Sequence, residues 1–183
     1  MRTWVYTVAA AVGLSVAAGA AHAQANAPVV TLPDGGKTQQ GAVLKDGKWQ
    51  LPDGTPTYRI TKDGKLDWYS YSGFRRYHGE CHVCHGPEGE GSTYAPALRE
   101  SLKTMDFGSF MQVVASGRER QLADGSKSVM PAFGDNKNVF CYAEDLYVYL
   151  KARADGALPR GRPQGRDDKP QQAIDYDKVC FGE

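Results

Sequence analysis

The sequence predicts an all-α fold with long loops, and three observations lead to this prediction. Aromatic and aliphatic residues recur at helical spacing in three segments of the chain. Polar residues that favour helix N-caps precede two of these segments, and glycines follow them. The connections between the segments are rich in glycine and proline, of which the chain has 21 and 10. The prediction is therefore a small helical core with a large share of irregular loop.

The chain begins with the pattern of a secretory signal peptide. Arg2 supplies a positive charge, residues 8–18 form an apolar stretch, and Ala21-His22-Ala23 is a small-x-small cleavage site. We expect cleavage after Ala23 and export to a bacterial periplasm, while an uncleaved membrane anchor is the alternative. No later stretch approaches the roughly 18 apolar residues that a membrane span needs.

Without residues 1–23, the chain is electrically balanced. The loss of Arg2 leaves 21 basic and 21 acidic side chains. Nucleic acids and anionic membranes bind proteins with excess positive charge, so we expect neither as a partner. In an oxidising compartment the cysteines form disulfides or attach a cofactor rather than remain free. The chain has four of them: Cys81, Cys84, Cys141 and Cys180.

Residues 24–66 form an N-terminal extension that is punctuated by turns. Asp-Gly recurs in "LPDGGK", "KDGKW", "LPDGTP" and "TKDGK", and this dipeptide is a strong hairpin signal. The runs between these turns, such as "KWQL" and "TYRIT", are short. They predict one or two small hairpins.

Residues 67–154 contain the three predicted helices. The first follows Asp67 or Ser70 as its N-cap. The second covers "FGSFMQVVASG", with Asp106 capping its start and Gly117 ending it. The third runs roughly from Val139 to Ala154.

The tail, residues 155–183, is polar and proline-rich and is predicted to be irregular. A core of three helices buries too little apolar surface to stabilise this much loop by itself. A large apolar cofactor in the middle of the core would supply the missing contacts.

The stretch "GECHVCHG" indicates what that cofactor is. Cys81 to His85 fits C-x-x-C-H, the attachment sequence of c-type haem. Two thiols at this spacing each add to one vinyl group of the porphyrin, and the adjacent histidine lies beneath the iron as its proximal ligand. We therefore predict one haem c, bound covalently by Cys81 and Cys84 and ligated by His85.

Other uses of the same residues fit less well. A structural zinc site needs four ligands, usually two close pairs, but Cys141 and Cys180 stand 39 residues apart. A thioredoxin-like dithiol lies in a strand–helix context, whereas this motif ends a predicted helix. A chance match is disfavoured in a chain that has only four cysteines.

The sixth ligand of the iron is predicted to be Met130. His78 and His82 lie too close to the attachment site to reach the opposite face of the ring. Met105 and Met111 lie in or beside the second predicted helix, where methionine usually fills the core. Met130 lies in "SVMPAFG", a non-helical turn before a proline. A His/Met pair closes both axial positions and raises the reduction potential, which predicts an electron carrier and not an enzyme.

With these residues in view, residues 68–154 resemble the class I cytochromes c. Gly73, Tyr77 and Cys81 at four-residue steps are similar to the family's N-terminal helix, and "DLYVYLK" is similar to its C-terminal helix. The resemblance implies a class I cytochrome c fold in which these two helices touch at Gly73. "APAL" resembles the family loop in which a proline carbonyl supports the proximal histidine. It implies that the Pro96 carbonyl accepts a hydrogen bond from His85 and that Leu98 covers the ring.

A narrower resemblance covers the rest of the chain. The second cysteine pair and the long tail are similar to the four-cysteine cytochromes of methanol metabolism, relatives of the cytochrome c(L)-type acceptors of PQQ-dependent methanol dehydrogenases. It implies a one-electron carrier that accepts electrons from a quinoprotein methanol or alcohol dehydrogenase and passes them to another cytochrome or a terminal oxidase. Those acceptors tend to be acidic, so this balanced chain is expected to dock through apolar contacts. A disulfide between Cys141 and Cys180 would then tether the tail.

Two other functions stay open at this point. A general periplasmic carrier for other respiratory oxidoreductases has the same chemistry and differs only in its partners. A haem enzyme or gas sensor requires a labile sixth ligand. The role of the extension is also open, since it either packs over the haem crevice or forms a face for a partner.

Overall fold

The computed structural model describes residues 27–122 and 124–182, so the expected signal peptide lies outside the described residues. The helices are α1 (Trp68–Glu80), α2 (His82–His85), α3 (Leu98–Ser101), α4 (Phe107–Ser116), α5 (Lys137–Phe140), α6 (Ala143–Ala154) and α7 (Gln171–Phe181). The strands are β1 (Val29–Thr31), β2 (Lys37–Gln39), β3 (Val43–Lys45), β4 (Lys48–Gln50), β5 (Arg59–Ile60), β6 (Lys65–Leu66), β7 (Arg118–Gln121), β8 (Lys127–Met130) and β9 (Gly165–Arg166). Among the described residues, no helix combines the length and the apolarity that a bilayer crossing requires.

The all-α prediction is wrong, because the structure is 37% helix and 17% strand and belongs to a mixed class. The extension supplies most of a five-stranded sheet with the order β1-β2-β5-β6-β9. Its last strand, β9, comes from the tail and pairs in parallel with β6, Leu66 opposite Arg166. This pairing joins segments about 100 residues apart. A local sequence pattern cannot predict such a contact.

The Asp-Gly turns explain the antiparallel part of the strand content. Asp46 and Gly47 both have positive φ angles, 48° and 79°, and connect β3 to β4 as a two-residue hairpin. Positive φ at both positions gives the backbone twist that two paired strands need. A second hairpin joins β5 to β6.

The core is built around the contact between α1 and α6. Asp67 caps α1, since its Oδ1 accepts a hydrogen bond from the Ser70 N–H at 2.9 Å. Gly73 faces α6 so closely that a Cβ there would lie 1.9 Å from the Asp145 carbonyl oxygen. The expectation that the two helices touch at Gly73 is confirmed. Only a residue without a side chain allows this approach.

The remaining helices match the predictions in part. The second predicted helix is confirmed as α4, with the Asp106 carboxylate accepting from the Ser109 N–H at 2.7 Å and Gly117 at its end. The third divides into α5 and α6 around Cys141. The prediction of an irregular tail is wrong, because the tail contains helix α7. Ala173 of this helix is buried in the interior.

The extension packs against α6 and its C-cap through polar contacts. The Tyr58 hydroxyl donates to Asp155 at 2.9 Å, and the Lys151 ammonium donates to the same carboxylate at 2.8 Å. The Lys151 side chain is only 1% exposed. The Lys48 ammonium lies 2.8 Å from Glu144 near the start of α6. These contacts anchor the extension to the helical core.

Candidate cofactor site

The two cysteines of the motif lie at the junction of α1 and α2. The Cys81 N–H donates to the Tyr77 carbonyl at 2.9 Å, and the His85 N–H donates to the Cys81 carbonyl at 3.1 Å. The backbone is therefore helical through the motif, and Cys84 lies about one turn after Cys81. Cys81 is half-buried against the core, whereas Cys84 is exposed.

His85 is buried and held in one orientation. Its side chain is 7% exposed, and its Nδ1 lies 2.9 Å from the Pro96 carbonyl oxygen. A carbonyl only accepts, so Nδ1 carries the proton and Nε2 keeps its lone pair. Burial lowers the pKa of His85, and this effect outweighs the hydrogen bond to Pro96, which raises it. The imidazole is therefore neutral at pH 7, as a metal ligand must be.

The loop that brings Pro96 to His85 depends on a close approach at Gly91. The Gly91 N–H donates to the His85 carbonyl at 2.8 Å. A Cβ at Gly91 would lie 2.7 Å from the Ala97 backbone nitrogen, and its φ is 88°. Leu98 follows as the first residue of α3 and packs against the core.

Met130 is the last residue of β8, rather than part of an isolated turn. It pairs with Arg118 of β7, which directly follows α4. The hairpin can fold back on α4 because Gly117 has a φ of 70° and lacks a side chain, since a Cβ there would lie 2.6 Å from the Met130 carbonyl oxygen. The Met130 side chain is half-buried and packs against the core.

The residues present fit a c-type haem. The predicted donors are two thiols, one neutral imidazole and one thioether, which are the groups that attach and ligate haem c. Large apolar side chains that pack on the core but remain half-buried supply the lining that a porphyrin needs. They are Leu98, Met105, Phe107, Met111, Met130 and Phe133.

A structural zinc site or a redox dithiol at the cysteine motif fits less well. Within residues 27–122 and 124–182, no three His, Cys, Asp or Glu side chains gather as a metal cluster. Burial raises the pKa of the Cys81 thiol to about 12. A dithiol oxidoreductase needs an accessible, low-pKa thiolate, which Cys81 does not provide.

Cys141 and Cys180 are joined by a disulfide, with their Cα atoms 6.1 Å apart. The bond connects the residue just before α6 to the last turn of α7. It therefore holds the C-terminal helix against the body of the protein.

An exposed apolar patch next to Cys84 was not anticipated from the sequence. It consists of Val83, Tyr94 and Val129, whose exposed fractions are 77%, 77% and 59%. Hydrogen bonds join the segments that carry these side chains, because the Ser92 hydroxyl donates to the Cys84 carbonyl and the Ser128 hydroxyl donates to the Tyr94 carbonyl. The sequence feature that could have indicated this patch is Val83, an apolar residue inside the C-x-x-C-H motif.

The chain belongs to the c-type cytochromes and carries covalently bound haem c. No protein-family model matches it. It is 39% identical over 107 residues to cytochrome c-555 of Methylococcus capsulatus (strain Bath), a match that covers 58% of this chain and 76% of that protein. It is 50% identical over 138 residues to cytochrome c-553I of Paracoccus denitrificans, covering 75% of this chain and 61% of that protein, which is less than two thirds of its length.

A solved structure shows the same fold. The c-type cytochrome XoxG from Methylobacterium extorquens AM1 superposes with a TM-score of 0.70 and 56% sequence identity, covering 76% of this chain and 85% of that one. The similarity supports the expected class I cytochrome c fold. Because the extension and the tail add strands, the protein as a whole belongs to a mixed class and not to the all-α class.

Proposed function

We propose that this protein is a periplasmic one-electron carrier that accepts electrons from a PQQ-dependent methanol or alcohol dehydrogenase and passes them to another cytochrome or a terminal oxidase. The link to methanol oxidation rests on the resemblance to cytochrome c(L)-type acceptors and on the similarity to XoxG. The observation that carries the proposal is the apolar patch of Val83, Tyr94 and Val129 beside the exposed Cys84. A partner that docks there would lie beside Cys84, a proposed attachment point of the cofactor.

We assign the cofactor contacts as follows. Cys81 and Cys84 would form the thioether links, and His85 and Met130 would ligate the iron. The haem supplies a metal centre that changes its charge by one electron. The Pro96 carbonyl fixes the His85 tautomer and ring orientation, and Leu98 covers the site together with the other half-buried apolar side chains.

The chain's own residues support electron transfer rather than catalysis. The hydrogen bond at 2.9 Å from His85 to Pro96 raises the basicity of the ligating nitrogen and keeps the ring in place. The β7–β8 hairpin, anchored at Gly117, holds Met130 in position. With His85 and Met130 as its ligands, the iron would bind oxygen or peroxide only by losing one of these side chains.

The organisation of the chain remains part of the proposal. Residues 1–23 are the signal peptide, residues 67–154 bind haem, and residues 24–66 and 155–183 flank that domain. The contacts of Tyr58 and Lys48 with α6 support a structural role for the first flank. The disulfide at Cys180 supports the same role for the second.

Stopped-flow reduction of the ferric protein tests the donor. A PQQ-dependent methanol dehydrogenase, reduced by its substrate, should reduce the haem with a rate that rises linearly with protein concentration. Because the chain without its leader is electrically balanced, this rate should depend only weakly on salt. The absence of transfer at micromolar concentrations, with reduction by another periplasmic dehydrogenase, would instead identify a general carrier.

A charge in the apolar patch tests the docking surface. Val129→Glu should slow the second-order reduction about tenfold, because a carboxylate in an apolar contact loses its hydration. Val179→Glu is the matched control, since Val179 is 81% exposed on α7, outside the patch. Equal rates for the two variants would reject the patch as the docking surface.

Carbon monoxide binding tests the alternative function. If the wild-type ferrous protein binds carbon monoxide, the protein is a sensor or an enzyme instead.

A further inference from the structure

Two histidines outside the proposed iron site share one face of the helix that leads into the motif. His78 lies near the end of α1, and His82 begins α2 four residues later. The backbone between them stays helical, because the Cys81 N–H donates to the Tyr77 carbonyl at 2.9 Å. The two ring centroids are 5.7 Å apart and the ring planes differ by 26°.

Hydrogen bonds fix the tautomers of both rings. The Nδ1 atom of His78 lies 2.9 Å from the Phe74 carbonyl oxygen, and that of His82 lies 2.6 Å from the His78 carbonyl oxygen. A carbonyl cannot donate, so each Nδ1 carries the proton and each neutral ring has a lone pair on Nε2. In the described part of the chain, neither Nε2 has a hydrogen-bond partner. An Nδ1–H bonded to a carbonyl is the usual support of a metal-ligating histidine.

We propose that His78 and His82 together bind a divalent transition-metal ion of the zinc–copper class. Two imidazoles that share an ion at Zn–N distances of ~2.0–2.1 Å have ring centres roughly 5–6 Å apart. The observed separation of 5.7 Å agrees with this geometry. Histidines four residues apart on one helix face are also the ligand spacing of known helical zinc sites.

The surroundings leave room for the rest of the coordination shell. His78 borders an open cavity of about 700 Å³, whose charged lining residues are Glu88, Arg75 and Arg162. Water can therefore occupy the remaining positions on the ion. Neither histidine is among the proposed haem ligands, since those are His85 and Met130, and the Nδ1 of His85 faces Pro96.

Calorimetric titration of the untagged, haem-loaded ferric protein with Zn²⁺ tests the proposal. Zn²⁺ has no redox chemistry with the haem, and we expect one ion per chain. His78→Gln and His82→Gln should each weaken binding at least about tenfold, since each removes one of the two ligands. An unchanged haem absorption spectrum in both variants will show that the fold is retained. Cu²⁺ should bind more tightly than Zn²⁺, in the order of intrinsic affinities.

Glu80→Gln is the matched control. Glu80 is exposed and lies between the two histidines in sequence, so it is the nearest carboxylate along the helix that could replace them as a ligand. Its removal should change the affinity less than about twofold if the imidazoles are the ligands. Equal affinity in the wild type and both histidine variants, loss of binding in Glu80→Gln, or no binding of Zn²⁺ at millimolar concentration would overturn the proposal.

Discussion

A methyl group at Gly73 tests the helix contact on which the core depends. In Gly73→Ala the new Cβ would lie 1.9 Å from the Asp145 carbonyl oxygen and 2.9 Å from the Tyr149 Cβ. An ordinary contact begins at 3.4 Å, so α1 and α6 must separate by about 1.5 Å. The obstacle is backbone, which cannot move aside as a flexible side chain would. Overpacking of this kind costs ~1–3 kcal/mol, and here we expect the upper end.

Alanine also favours the helical backbone by ~1 kcal/mol relative to glycine, which offsets part of that cost. The net loss in the free energy of unfolding should be about 2 kcal/mol. Guanidinium unfolding of the haem-loaded protein, followed by circular dichroism, measures it. Gly79→Ala is the control in the same helix, because a Cβ there meets no atom within 4 Å. It should leave stability unchanged or raise it. A Gly73→Ala variant as stable as the wild type would refute the packing argument.

Three further changes test other parts of the structure. Burial raises the pKa of Asp145 to about 8, against ~3.9 in an unfolded chain, so the folded protein binds the extra proton. The free energy of unfolding should therefore fall as pH rises from about 4 to about 8, by up to ~1.4 kcal/mol per unit, and urea titrations should show a flatter dependence in Asp145→Asn. Cys141→Ser with Cys180→Ser opens a 39-residue loop and should lower the stability by about 4 kcal/mol, or less if the bond is strained; an unchanged denaturation midpoint would contradict this. Asp155→Asn removes the carboxylate that accepts from the buried Lys151 and should cost about 3 kcal/mol by chemical denaturation, whereas a loss below 1 kcal/mol would mean that the pair is solvated.

Local signals in the sequence identify the starts of the main helices. Asp67 and Asp106 are the N-caps of α1 and α4 because a short acidic side chain satisfies the first free N–H groups of a helix, whatever its tertiary context. The hairpin at Asp46–Gly47 follows equally from local backbone preference. The C-x-x-C-H motif can likewise be recognised from the sequence, because its spacing is local.

Elements that depend on contacts between distant parts of the chain could not be predicted from the sequence. β9 exists because the tail pairs with β6, and α7 is held at its last turn by the bond to Cys141. Met130 was expected in a turn, but the strand that contains it forms only by pairing with β7. The third helix was expected to run unbroken from Val139, yet it breaks at Cys141, and Phe140 is 36% exposed.

Buried polar contacts also escaped the sequence analysis. Lys151 lies in a segment similar to the C-terminal helix of class I cytochromes c, and a lysine there suggests a solvent-facing position. It is buried because Asp155 and the Leu102 carbonyl accept hydrogen bonds from its ammonium group. Such a partner set is assembled by tertiary packing, and the residue type alone does not reveal it.

The state of the iron is the most direct test, since the proposed electron transfer depends on a tethered haem that two side chains ligate. Denaturing mass spectrometry of the exported protein should show one haem bound covalently to the polypeptide. The ferric protein should be low-spin, with a thioether-to-iron charge-transfer band that disappears in Met130→Ala and persists in Met111→Ala, a half-buried methionine in α4. A colourless protein whose Cys81 and Cys84 thiols still react with alkylating reagents, or a band that survives in Met130→Ala, would contradict the account.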